Sequence, residues 1–215
     1  SHSIHDEINA ASYELYALDL LEHLFKERDV VVVTGGTGLY IKALTEGLDI
    51  IPQVDDKIRN QVITNYKEQG LAWLQQQLTE LDPLFSAEGE MQNPQRMMRA
   101  LEVVMSTGQS ILTFRQTPKA PRPFNIVQVG LEMPRENLYG RINKRVDLMM
   151  EAGLEGEARG LLSYRTLNAL QTVGYKELFE YFDGNLTIDG AVSLIKQNTR
   201  RYAKRQMTWF KCQAQ

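Results

Sequence analysis

Residues 30–44, VVVVTGGTGLYIKAL, restrict the fold more than any other stretch of the chain. Four consecutive valines form a short, wholly apolar run of the kind a strand buried on both faces needs. Thr34, Gly35, Gly36, Thr37 and Gly38 follow as a loop that exposes backbone N–H groups, and residues 39–44 read as the start of a helix. Strand, glycine loop and helix in that order place a phosphate or a nucleotide at a helix N-terminus. The expected fold is therefore α/β, with function near the loop. A Walker loop would read GxxxxGK followed by Ser or Thr, and no Gly-Lys pair occurs anywhere in the chain.

A chain of 215 residues suffices for one large domain or for a core with an insertion. No run approaches the roughly 18 apolar residues of a membrane span. No charged segment followed by an apolar one opens the chain, so neither a membrane nor a secreted location is expected. The lone cysteine, Cys212, excludes an internal disulfide and fits the reducing cytoplasm. His2, His5 and His23 share no ligand spacing with a cysteine or carboxylate cluster, and no metal ligand is assigned. The formal net charge of −3 gives no global sign of nucleic-acid binding, but the basic residues are segregated.

Residues 6–27 carry apolar side chains at helical spacing. After Gly47 the character changes. Pro52, Pro83, Pro94, Pro118, Pro121 and Pro123 punctuate residues 49–123. Between them lie amphipathic stretches at 57–68 and 71–81, the first preceded by Asp55 and Asp56, where negative charge favours a helix N-terminus. A third helix opens at Asn93-Pro94, an N-cap followed by proline at the first helical position, and stops near Gly108. The region has no strand signal and reads as a helical insertion. FNIVQVGL, residues 124–131, alternates apolar and polar side chains and predicts a strand that returns to the core. Helices are expected at about 135–151, 154–163, 175–182 and 188–211. This divides the chain into a core of 1–48 with 124–215 and an all-helical insertion of 49–123.

The last helix carries the clearest charge signal. Lys196, Arg200, Arg201, Lys204, Arg205 and Lys211 lie opposite an apolar stripe, and no acid follows Asp189. Arg200 with Lys204, and Arg201 with Arg205, are like-charge neighbours one turn apart, each destabilising by about 0.2–0.5 kcal/mol. A merely solvated helix interleaves acids; a helix that meets a phosphate backbone does not. Tyr202 and Trp209 offer stacking surfaces or core packing. On the helix 138–150, Arg141 and Arg145 are one turn apart. Arg145 borders the apolar stripe, where it either snorkels or grips phosphate oxygens. Gln95, Arg96 and Arg99 occupy the first turns of their helix, either simply exposed or presented to a partner. In the loop 171–176, Gly174 supplies an unusual backbone angle, while Tyr175 and Lys176 either touch nucleic acid or cap the next helix. No serine–histidine–acid or cysteine–histidine set can be assembled.

The ordered motifs resemble those of tRNA dimethylallyltransferases, also called tRNA isopentenyltransferases. The matching pieces are GGTGLYIKAL (35–44), the following EGLDIIP, NPQRMMRALEV (93–103), RINKRVDLMMEAGLEGEARGLL (141–162), QTVGYKELFEYFDG (171–184) and NTRRYAKRQMTWFK (198–211). The resemblance implies transfer of a prenyl group from dimethylallyl diphosphate to the N6 amine of the adenosine on the 3′ side of the anticodon. It implies a P-loop kinase-like parallel-sheet core, with the helical insertion swinging over the anticodon stem.

Carried over by motif, Arg145 is the arginine that stabilises the diphosphate leaving group, with Arg141 as a second contact. Thr37, Arg59, Gln95, Arg96, Arg99, Gln171, Gly174, Tyr175, Lys176, Arg200, Arg201, Lys204 and Arg205 match positions expected to contact tRNA. Magnesium is implied by the diphosphate. The family's Walker loop, and the segment with the aspartate regarded as general base, have no counterpart here. A strand–loop–helix–strand unit of ~30 residues or more is therefore expected upstream, with the metal ligands in it, and the chain as written is expected to be inactive. The histidine common shortly before the NPQR motif is also missing. The expected partners are a tRNA anticodon stem-loop and dimethylallyl diphosphate, with the protein acting as a cytoplasmic monomer. The competing readings are a non-catalytic RNA-binding remnant and a P-loop kinase for a small substrate, the latter disfavoured by a basic helix that a small substrate does not need.

Overall fold

The computed structural model describes residues 2–6, 8–115 and 120–213. Pro118, counted above among the prolines of the insertion, lies outside them. The chain divides into two compact units, one of residues 1–45 with 123–215 and one of residues 46–122.

In the first unit, α1 (Ala10–Leu24) begins at Asn9, whose side chain accepts from the Ala11 and Ser12 amides while Ser12 Oγ accepts from Asn9 N. This reciprocal cap fixes the helix start. Helix α2 (Gly38–Glu46) opens directly from the glycine loop. Ala17 and Leu21 of α1 pack with Leu44 of α2, flanked by Val31 and Phe124.

The second unit is built on α3 (Asp56–Leu81), α4 (Pro83–Glu88) and α5 (Pro94–Thr107). Asp55 caps α3 through the Lys57 amide. At Gly70 the backbone of α3 turns to φ 75°, ψ −164°, so the element is two helices in line, broken between the stretches 57–68 and 71–81. Asn93 accepts from Arg96 N and Pro94 occupies the first turn of α5, while Gly108 closes it in the left-handed conformation at φ 71°. The core holds Val62, Leu74 and Leu78 of α3, Phe85 of α4, and Met97, Leu101 and Val103 of α5. These closely packed apolar side chains supply the stability of a unit that is helical throughout its regular elements among the described residues.

The remaining helices belong to the first unit: α6 (Arg135–Glu151), α7 (Leu154–Gly160), α8 (Tyr175–Phe182) and α9 (Ile188–Gln213). Gly153, at φ 98°, turns the chain from α6 into α7. Val146, Leu154, Ala158, Leu170, Leu178, Phe179, Ala191 and Ile195 form their common core. Helix α9 is its spine, packing on both α6 and α8.

The expected parallel-sheet core is corrected by the structure: the described residues contain helices and turns and no strand. Neither the valine run nor residues 124–131 enters a ladder. Val30, Val32 and Val33 are 78%, 79% and 51% exposed, and Val127, Val129 and Leu131 are 85%, 81% and 91% exposed. The physical reason is that a strand is a property of a pair. Apolar patterning marks a segment suited to a sheet, but its N–H and C=O groups need a neighbouring strand to bond. Among the described residues, none pairs with either segment.

Candidate RNA and diphosphate site

The glycine loop is held from the far end of its unit. Tyr202, Gln206 and Trp209 project from α9 at spacings of four and three residues, so they share one helical stripe. Gln206 Nε2 donates to the Gly36 carbonyl at 2.9 Å, and the Thr37 and Tyr202 hydroxyls lie 3.5 Å apart. A Cβ on Gly38 would stand 2.4 Å from the Trp209 ring, and one on Gly36 would stand 2.1 Å from Gln206 Nε2. At Gly38 the indole ring leaves no room for a side chain, whereas at Gly36 what lies close is the flexible end of Gln206. Gly35 has open space around it and an ordinary φ. The Thr37 carbonyl accepts from the Tyr40 and Ile41 amides and so closes the first turn of α2.

Helices α6 and α9 are tied by polar contacts that sequence spacing does not reveal. Arg200 Nη1 donates to Asn143 Oδ1 at 2.6 Å, its guanidinium 5.9 Å from the centre of the Tyr139 ring, and Lys196 Nζ meets Asp147 Oδ1 at 2.5 Å. Lys211 Nζ meets Glu132 at 3.3 Å. The acids missing from α9 in sequence are therefore partly supplied by other segments. Arg200 is drawn inward, whereas Arg201, Lys204 and Arg205 stay exposed, without a carboxylate partner among the described residues. An open groove of about 700 Å³ beside them is lined by Arg135, Tyr139, Lys204 and Lys211. Arg141 and Arg145 are exposed on α6, and no ion pair or hydrogen bond engages either guanidinium among the described residues. Both are free to bind an anion.

The loop before α8 is fixed by two carboxylates. Gly174, at φ 108°, donates its amide to Glu177 Oε2 at 2.8 Å, and Asn198 Nδ2 of α9 donates to Glu177 Oε1 at 2.7 Å. Glu177 is 5% exposed, and each of its oxygens accepts a hydrogen bond, as burial of a carboxylate requires. The Tyr175 hydroxyl donates to Glu157 Oε1 at 2.5 Å, and that bond, followed by burial and by the carboxylate's charge, pushes the phenol up to about 12. Gln171 Nε2 donates to the Arg165 carbonyl at 2.5 Å, and Lys176 is exposed.

In the second unit, Glu102 of α5 is the organising group. Its carboxylate lies 3.2 Å from Arg99 Nη1 and 3.8 Å from Arg59 Nε of α3. Arg96 pairs with Glu90, and Gln95 is exposed beside it. The sequence singled out the arginines and missed Glu102, although a glutamate three residues after Arg99 is the available signal. It likewise missed Glu177, three residues into α8 from Gly174, the position from which a glutamate reaches back to the helix start. Asn143, Asp147 and Gln206 have no local signal.

Among the described residues no group of three or more His, Cys, Asp or Glu side chains is placed to hold a metal ion. No helix among them is long and apolar enough to cross a membrane.

Residues 1–213 match the sequence model of the IPP transferase family. The chain is 48% identical over 210 residues to the tRNA dimethylallyltransferase of Cytophaga hutchinsonii, an alignment covering 98% of this chain and 69% of that protein. It is 48% identical over 206 residues to tRNA dimethylallyltransferase 1 of Bacteroides thetaiotaomicron, covering 96% and 67%. The crystal structure of the tRNA isopentenylpyrophosphate transferase of Bacillus halodurans superposes with a TM-score of 0.64 at 34% identity, covering 98% of this chain and 66% of that one. The chain thus spans about two thirds of the length of these relatives, and by this match along almost its whole length it belongs to the IPP transferase family.

Proposed function

We propose that the full-length gene product transfers a dimethylallyl group from dimethylallyl diphosphate to N6 of the adenosine 3′-adjacent to the anticodon of tRNA. The observation that carries this reading is the 48% identity to a tRNA dimethylallyltransferase across 98% of the chain. The site chemistry supports it. In the reaction the C–O bond to the diphosphate breaks, a bond from N6 to the allylic carbon forms, and N6 gives up a proton. Negative charge grows on the departing oxygen. Arg145, unengaged on α6 with Arg141 one turn away, suits that charge, because a planar guanidinium binds phosphate oxygens bidentately and stays protonated. The exposed Arg201, Lys204 and Arg205 suit the phosphate backbone of the acceptor RNA. The reacting base has to leave its stack to meet the donor. Magnesium would offset the diphosphate charge when bound; no residue described here is assigned to it.

The test incubates the full-length protein with dimethylallyl diphosphate, magnesium and an anticodon stem-loop containing consecutive adenosines. Mass spectrometry should find one added five-carbon unit. Arg145→Ala should lower the rate on the order of 10²–10³-fold, the loss expected when one donor to transition-state charge is removed. No addition, with stem-loop binding retained, would leave an RNA-binding protein without this activity.

A further inference from the structure

We propose that Gln206 is a positioning residue: it clasps the glycine loop onto α9 and so fixes Thr37 for the acceptor nucleoside. The catalytic half of this rests on the activity proposed above; the clasp itself does not. Three contacts carry it. Gln206 Nε2 donates to the Gly36 carbonyl at 2.9 Å across 170 residues of sequence. Trp209 lies where a Cβ on Gly38 would be, and the Tyr202 hydroxyl is 3.5 Å from that of Thr37. The loop lacks support of its own. Residues 30–33 before it enter no ladder, with Val30, Val32 and Val33 exposed, and apart from the bonds that close the first turn of α2 on the Thr37 carbonyl, no other hydrogen bond from a neighbouring element to residues 34–37 is found among the described residues. A loop that carries a substrate-facing side chain but gains no rigidity from a strand must take its position from what it packs against. Here that is one stripe of α9, the helix that also carries Arg201, Lys204 and Arg205.

Gln206→Met keeps the length and bulk of the side chain and removes the donor. In the full-length protein it should raise hydrogen exchange of the peptide covering residues 34–39 by about fivefold to tenfold, the worth of one net hydrogen bond. It should lower kcat with the stem-loop roughly 10–100-fold, as a slightly misplaced group does. KM for dimethylallyl diphosphate should stay within about twofold. Gly36→Ala offers a second approach, since its Cβ would displace the flexible end of Gln206 and break the same bond. The two substitutions together should then cost no more than the worse single one. Unchanged loop exchange in Gln206→Met overturns the clasp, whatever the activity does. Faster exchange with an unaltered kcat, or additive losses in the double variant, overturns the positioning role. If the unsubstituted protein transfers nothing, the proposed activity fails, and with it the catalytic half. Loop exchange, read without turnover, still decides the clasp.

Discussion

Glu102 is a buried carboxylate between two guanidinium groups, and its energetics are those of a shared partner. Its side chain is 9% exposed, against 35% for Arg99 and 47% for Arg59. The arginines can rehydrate if Glu102 is removed; Glu102 cannot if they are. Arg59→Ala or Arg99→Ala alone leaves one cation in place and should cost about 1 kcal/mol. The double substitution leaves a buried, uncompensated charge and should cost about 3–5 kcal/mol, more than the sum of the singles. Urea unfolding of the three variants checks this, and strictly additive losses would show that Glu102 does not depend on the pair. The same reasoning makes Glu102 the group that orients both guanidinium groups.

At the scale of elements, α7 and α8 are joined by the bond from Tyr175 to Glu157. The phenol stays protonated in the folded protein up to about pH 12, whereas an unfolded tyrosine ionises near pH 10. A raised folded value means that the stabilisation is complete below about pH 10 and is lost between about 10 and 12. In an NMR titration of labelled tyrosine ring carbons, Tyr175 should titrate last, near 12, and Glu157→Ala should bring it back toward 10. A Tyr175 midpoint near 10 in the unsubstituted protein would mean the tie is absent in solution.

Elements of this kind are where the sequence reads best. Asn93-Pro94 and Gly108 mark the ends of α5, and Asp55 marks the start of α3, because a cap is chemistry between residues two to four apart. The valine run fails for the opposite reason. Its apolar side chains state a preference for burial between strands, while strand formation depends on a partner that the run itself does not contain. The clasp of Gln206 on Gly36 lies beyond local reading as well. Glycines at 36 and 38 announce a close approach, but nothing near them says that the approaching group comes from α9.

For the molecule as a whole, charge is distributed by the fold and not by the sequence. Read linearly, α9 offers Lys196, Arg200, Arg201, Lys204, Arg205 and Lys211 as one basic face with no acids. In space, Lys196 meets Asp147, Lys211 meets Glu132, and Arg200 donates to Asn143. Arg201, Lys204 and Arg205 are exposed and have no carboxylate partner among the described residues, and under the proposed function they are the cations that would meet a phosphate backbone. This division predicts the salt dependence of stem-loop binding. Each cation that neutralises a phosphate releases a counterion, so its removal should reduce the slope of log K against log salt by about 0.7–0.9. Gln at all three positions should therefore flatten the slope by about 2–3. Lys196→Gln removes as much formal charge per residue and should leave the slope nearly unchanged, since that charge is already balanced by Asp147. The comparison is made by titrating the labelled stem-loop with each full-length variant at several salt concentrations. An equal effect of Lys196→Gln and Lys204→Gln would mean that the RNA responds to the net charge of α9, and that pairing by Asp147 counts for nothing at this surface.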